Sequence, residues 1–429
     1  MFSPACLVLK KGPKFFCSFI AIILLLSATA TAQVMPPALK DSLRAKAPSA
    51  DNIIPKDTIS SRWFDNFTFR GYVQVRYNRL LETNSSLKNP YDKSIGDNGG
   101  FMIRRARLVF SGNVSDRVYL YIQPDLASTP SGSSSIHFAQ LRDAYFDIAL
   151  DSLKELRFRV GQSKIPYGFE NLQSSQNRLT LDRNDALNSG MPNERDLGVI
   201  FYWAPAKIRE RFRDITNRSL KSAGDYGVFG LGIYNGQTVN QREANDNLHV
   251  VARASYPIRF RNGQVIEPGL QAYTGVYNVT ANQLSNPEIK GGNFEEHRAA
   301  ASFILYPQPF GFQAEYNVGK GPQFNAETMS IETKDLHGGY AQIMYNLKVK
   351  NHVLIPFLKT QYYKGGKKNE LDARFTDMKE TEIGVEWQPV PAFEFTAQYT
   401  ISNRYTRDGK NLDNQQSGNY LRLQAQFNY

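Results

Sequence analysis

Cysteine is almost missing from this chain: two in 429 residues, Cys6 and Cys17, both near the amino terminus. Lys10, Lys11 and Lys14 precede an apolar run from Phe15 to Leu26, and small residues follow up to Ala32. That order of charge, grease and small side chains predicts a secretory signal over residues 1–32, cleaved after Ala32. The exported chain would then carry no cysteine, which excludes disulfides, thiolate catalysis and zinc–cysteine sites. Long apolar stretches are missing too. The mean hydropathy is −0.44, which rules out a polytopic helical membrane protein. A membrane β barrel stays open, because its strands are apolar on one side only. The five histidines have no metal-ligand spacing, and no cofactor is expected. The glycines of 227–232 lie in a strand-like stretch without a following helix, which argues against a nucleotide loop.

What is abundant is aromatic and basic. The chain has 27 Phe and 23 Tyr, and 51 Lys+Arg against 40 Asp+Glu, a formal charge of +11. Export speaks against nucleic acid as a partner. Residues 33–64 show little periodicity and are expected to form a periplasmic tail. From residue 65 to 429, period-2 alternation persists. In the stretch 67–77 the apolar set Phe67, Phe69, Val73, Val75 and Tyr77 alternates with Thr68, Arg70, Tyr72, Gln74 and Arg76, so the two sets point to opposite faces.

Further runs fall at about 101–113, 116–125, 138–150, 154–163, 195–204, 224–235 and 246–256. Eight more follow at about 266–278, 294–307, 309–319, 334–347, 351–363, 379–388, 391–403 and 418–429. That makes about sixteen strands, mostly long enough to cross a bilayer when tilted. Connections after even-numbered runs are mostly tight. Those after odd-numbered runs are mostly long, at 80–100, 164–194, 279–293, 319–334, 363–379 and 403–418. This sorting predicts an all-β transmembrane antiparallel barrel with short periplasmic turns and long extracellular loops. The exception is 204–224, where Ile208, Phe212 and Ile215 have helical spacing. Tyr77, Tyr202, Trp203, Tyr256, Tyr306 and Tyr399 are expected in interfacial girdles.

If the apolar face meets lipid, the polar face lines a lumen. Arg70, Arg76, Arg105, Arg107, Arg157, Arg159, Arg253, Arg298 and Arg422 all alternate with apolar neighbours, and a charge facing lipid would cost about 2–4 kcal/mol near the midplane. Inward acids (Asp125, Asp143, Asp147) offer them partners. Two readings follow: a charge-balanced wall network, or a positive lumen that concentrates anions by forked guanidinium hydrogen bonds. The connection 164–194 is the third extracellular loop. Folded inward, it would constrict the lumen with Lys164, Arg178 and Arg183, beside Glu170, Asp182 and Asp185.

At 67–76, Arg104-Arg105-Ala106-Arg107-Leu108, Leu141-Arg142-Asp143-Ala144-Tyr145 and 161–168 the chain resembles the phosphate-selective porin O and P family. The stretches 194–199 and 232–236 add to the likeness, which spans about 65–429. The resemblance implies a sixteen-stranded outer-membrane barrel, usually a homotrimer, passing small anions such as phosphate past arginines and lysines. The closing run, which ends on Tyr429, resembles the signal read by the barrel assembly machinery. Three other readings are weighed: a general nutrient porin without marked selectivity, an adhesin or assembly barrel, and a barrel hydrolase using His249 and Ser255.

Overall fold

The computed structural model describes residues 63–80, 100–128 and 137–429. The expected signal peptide and most of the expected tail lie outside the described residues. A short 3-10 turn, Trp63–Asn66, leads into the first strand. The strands, in chain order, are β1 (Phe67–Leu80), β2 (Gly100–Asn113), β3 (Val118–Ser128), β4 (Phe138–Ala149), β5 (Leu156–Lys164), β6 (Arg195–Trp203), β7 (Phe229–Tyr234) and β8 (His249–Ser255 and Ile258–Arg259). The second half comprises β9 (Val265–Val279), β10 (Gly292–Leu305), β11 (Phe310–Asn325), β12 (Ser330–Tyr345 and Leu347–Val349), β13 (His352–Gly366), β14 (Phe375–Val390), β15 (Phe393–Arg407) and β16 (Asn414–Asn428). β8 and β12 each count once because both of their pieces pair with the same neighbour, β9 and β13 respectively.

Each strand pairs antiparallel with the next, and β1 pairs with β16 from Tyr72↔Asn428 to Leu80↔Tyr420. The sheet is therefore a closed barrel of sixteen strands, which leaves no free edge. The last residue completes the seam. Gly71 N donates to Tyr429 O at 2.8 Å and Tyr429 N to Gly71 O at 3.0 Å. A Cβ at position 71 would stand 2.6 Å from the Tyr429 hydroxyl, so the aromatic end of the chain needs a glycine there.

Alternation in the sequence becomes inside and outside. On β16, Arg422, Gln424 and Gln426 are buried in the interior while Phe427 is exposed on the outer wall. The expected girdle divides on the same parity. Trp203 and Tyr256 are exposed on the outside, but Tyr202 and Tyr306 are fully buried inside. Tyr202 follows Phe201 and precedes Trp203, so it must face the other way.

Several strands outrun the hydrophobic signal. β11, β12 and β14 reach 16 residues each. The connections expected at 319–334, 363–379 and 403–418 shrink to 326–329, 367–374 and 408–413. At these ends the outer face is polar as well: Lys320 pairs with Asp335 at 3.7 Å and Lys364 with Asp377 at 3.4 Å. Water on both faces erases the period-2 contrast without ending the strand.

The anomalous segment after β6 contains the expected helix, α3 (Ala206–Asn217), with Ile208, Phe212 and Ile215 buried. It is numbered third because α1 (Phe169–Leu172) and α2 (Asp185–Asn188) precede it in the connection after β5.

Candidate functional site: the barrel interior

The connection after β5 folds into the barrel. Lys164 closes its base, donating to the carbonyls of Leu172 and Gln173, both at 2.7 Å. The segment then crosses to the far wall. Phe169 N and Glu170 N, the free donors that open α1, bond the Glu315 carboxylate of β11 at 2.6 and 2.8 Å. Tyr167 reaches Asn317, Leu181 N reaches Gln398 on β15, and Asp185 N reaches Gln361 on β13. β1 and β16 join through Gln74 Nε2 to Ser175 O and Gln426 Nε2 to Gln176 O. Most of these bonds go to the wall running from β9 round to β1.

A charged core locks the contact. The Lys359 ammonium of β13 is fully buried and lies 2.6 Å from Glu170. The same carboxylate accepts from Asn184 N and Asn184 Nδ2, both at 2.6 Å. Burial alone would raise the carboxyls of Glu170, Asp182, Asp185 and Glu194. The cations beside them prevail and hold all four below their ordinary range. From the opposite end, α3 brings Ile215, with Leu220, against Phe169, Val265, Ile304 and Tyr306. Gln173 Nε2 donates to Lys221 O at 2.6 Å, and Lys221 pairs with Glu386 at 2.5 Å. The inward loop and the periplasmic segment thus meet inside the barrel.

All nine arginines singled out by alternation face the interior, and seven of them hold a carboxylate. Arg76 pairs with Asp182 at 3.1 Å, Arg107 with Asp125 at 2.8 Å, Arg157 with Asp225 at 2.6 Å and Arg159 with Asp147 at 2.8 Å. Arg253 pairs with Glu267 at 3.0 Å and Arg298 with Glu296 at 3.2 Å; Arg422 meets both Asp182 and Glu382. In the loop, Arg183 pairs with Glu194 at 2.8 Å. The exceptions are informative. Arg70, exposed at the start of β1, bonds the hydroxyls of Thr68 and Ser111 and no carboxylate among the described residues. Arg105 bonds Gln74 Oε1 at 2.9 Å, and Arg178 bonds the carbonyls of Thr180 and Leu181. Arg105 Nε and Arg178 Nη1 are buried with no hydrogen-bond partner among the described residues.

Two further interior arginines escape a strict period of two. Pairing of β1 with β2 slips between Gln74 and Val75, and pairing of β3 with β4 between Gln123 and Pro124. These bulges turn Arg104 inward beside Arg105, 3.7 Å from Asp182, and Arg142 inward beside Asp143, 3.7 Å from Glu194. Nothing in the hydrophobic pattern marks either position. Lys359, by contrast, alternates with Leu358 and Thr360 and was legible by the same rule that found the arginines.

His249 and Ser255 both face inward but do not meet. They are six residues apart on one strand, roughly 20 Å at the usual rise. Ser255 Oγ donates to Glu267 at 2.8 Å, while the His249 ring lies 3.6 Å from Glu296 and is slotted against Gly236 and Gly275. A Ser–His hydrolytic pair is not assembled. Among the described residues no cluster of His, Cys, Asp and Glu is placed to hold a metal. A groove of about 610 Å³ runs along β10 to β14, lined by Ala301, Phe303, Ala314, Tyr316 and Tyr362 together with Glu315, Tyr340 and Gln361.

A closed sixteen-stranded barrel with an apolar outer wall, a polar interior and an inward third loop is the architecture of an outer-membrane porin. The sequence matches the phosphate-selective porin O and P family over residues 83–429, and the chain belongs to that family. Membership makes it a porin of the bacterial outer membrane. Solved structures agree on the fold. The outer-membrane channel DcaP of Acinetobacter baumannii is 15% identical, with a TM-score of 0.51 over 85% of this chain and 97% of its own. OmpF of Salmonella typhi, solved in complex with daunomycin, is 12% identical, with a TM-score of 0.52 over 85% and 98%. No curated protein matches the sequence.

Proposed function

We propose that this porin passes small anions, phosphate among them, by diffusion past the arginines of its interior. One observation carries the reading. Where the inward loop meets β1 and β2, Arg105 and Arg178 bond an amide and two carbonyls and have no ion-pair partner among the described residues. Gln74 links Arg105 to the loop, accepting from the guanidinium and donating to Ser175 O. Positive charge left unbalanced on the lumen wall raises the local concentration of small anions. Pore-lining roles for the nine arginines, and a constriction role for Lys164, Arg178 and Arg183, belong to this proposal. So do assembly as a homotrimer, contact of the outer wall with outer-membrane lipid, and insertion by the barrel assembly machinery.

Planar-bilayer recordings under a KCl gradient test it. The expected reversal potential is anion-selective, and Arg105→Gln should shift it several-fold toward cations in permeability ratio, with phosphate blocking chloride current less well. A cation-selective wild-type channel sinks the anion reading. A second reading, a general nutrient porin with weak selectivity, is favoured by the seven carboxylate-paired arginines. A near-zero reversal potential decides for it.

A further inference from the structure

On the inner wall from β1 to β5 stands a column of flat side chains. Tyr121 on β3 and Tyr145 on β4 are cross-strand partners, their rings stacked with centroids 5.1 Å apart and planes 12° apart. Both are half-buried. At one end, the Arg159 guanidinium lies 4.0 Å from the Tyr145 ring, and Asp147 neutralises it through two hydrogen bonds of 2.8 and 2.9 Å. That end is filled and charge-balanced.

The other end is neither. The Arg70 guanidinium stands 5.9 Å from the Tyr121 ring. It is exposed, and two hydroxyls are its hydrogen-bond partners, Thr68 Oγ1 at 3.0 Å and Ser111 Oγ at 2.8 Å. An aromatic face with a loose cover thus lies beside a spare planar cation. Chloride or phosphate answers the charge alone. A flat ring answers the face alone. A planar ring bearing a carboxylate answers both, with its ring on Tyr121 and its two oxygens on the guanidinium fork.

We propose that Arg70 and Tyr121 form a stacking subsite for aromatic carboxylates within the lumen, so that the channel favours flat organic anions over saturated ones. This rests on the anion-porin reading and deepens it by naming a solute class. The probes are benzoate and cyclohexanecarboxylate, equal in charge and similar in size but unequal in flatness. Binding is read by saturation-transfer NMR on the detergent-folded barrel, and conductance is recorded on the same preparation.

Ring stacking of this kind typically contributes ~0.5–1.5 kcal/mol, so benzoate should bind about two- to twelvefold more tightly. Tyr121→Leu should remove the preference, Tyr121→Phe should keep it, and Arg70→Gln should weaken both acids alike. Equal affinities in the wild type overturn the subsite, as does a preference that survives Tyr121→Leu. Failure to conduct KCl would count against the porin reading and leaves the binding comparison intact.

Discussion

The two walls of this barrel spend their charges differently. From β2 to β6 several ion pairs run sideways within the wall, while Arg104 and Arg142 also reach loop acids at 3.7 Å. Arg107 sits opposite Asp125 and Arg159 opposite Asp147 in the strand register, and Arg195 reaches Asp143 at 3.0 Å. From β9 round to β1, several pairs run across to the inward loop. Lys359 binds Glu170, Arg76 and Arg422 bind Asp182, and Lys367 binds Asp185 at 3.0 Å. Sideways pairs stiffen the sheet and leave the lumen clear; crosswise pairs hold an object inside it. Similar residue types therefore serve as wall reinforcement on one side and as a clamp on the other.

The sharpest way to break that contrast is to cut the clamp. Glu170→Ala leaves the Lys359 ammonium fully buried with Glu382 at 3.8 Å as its nearest acid and strands the two Asn184 donors. Removing one partner of a buried pair costs about 3–5 kcal/mol. The expected outcome is a folded barrel whose loop has left the wall: a larger single-channel conductance and a lower unfolding midpoint in detergent. Unchanged conductance with unchanged stability would show that the loop is held by its apolar contacts instead.

Acid should release the same clamp more gradually, in a definite direction. Glu170, Asp182, Asp185 and Glu194 all titrate below their ordinary values in the folded protein. A depressed carboxyl contributes stability that is present above its unfolded value, about 4, and lost as pH falls through the folded one. The conductance step should therefore stay level from pH 8 to about pH 5 and rise only below about pH 4. A rise between pH 7 and pH 5, recorded in bilayers, would place the controlling group elsewhere.

The sideways network was legible in the sequence and the crosswise one was not, for a physical reason. Arg107, Asp125, Asp147 and Arg159 lie on alternating strands, so the period of two puts them inside and antiparallel pairing brings them together. Glu170, Asp182 and Asp185 belong to a connection without periodicity, and only the folded loop decides which strands they meet. Local irregularity hid the rest. The bulges that turn Arg104 and Arg142 inward add one residue each to a strand, and alternation counted from either side gives opposite answers there. The fold was recoverable because closure averages over sixteen strands. The site was recoverable only where its side chains obey the same period as the wall.

The smallest effect tests whether the height of a wall matters at all. On the outer face above the bilayer, Lys364 and Asp377 pair at 3.4 Å with both side chains well exposed. Such pairs are worth about 0–1 kcal/mol because water screens them and two mobile side chains must be held. β13 and β14 have 15 and 16 residues, against 9 in β5. At ~3.4 Å per residue and a tilt near 40°, that is about 40 Å of height against about 23 Å. The apolar band of such barrels is only ~25 Å tall, so the tops of the long strands stand in water. Asp377→Asn should leave conductance and selectivity unchanged and move the unfolding midpoint within measurement error. A loss of stability comparable to that of Glu170→Ala would mean that this pair lies in lipid, and that the long strands are sunk into the bilayer rather than raised above it.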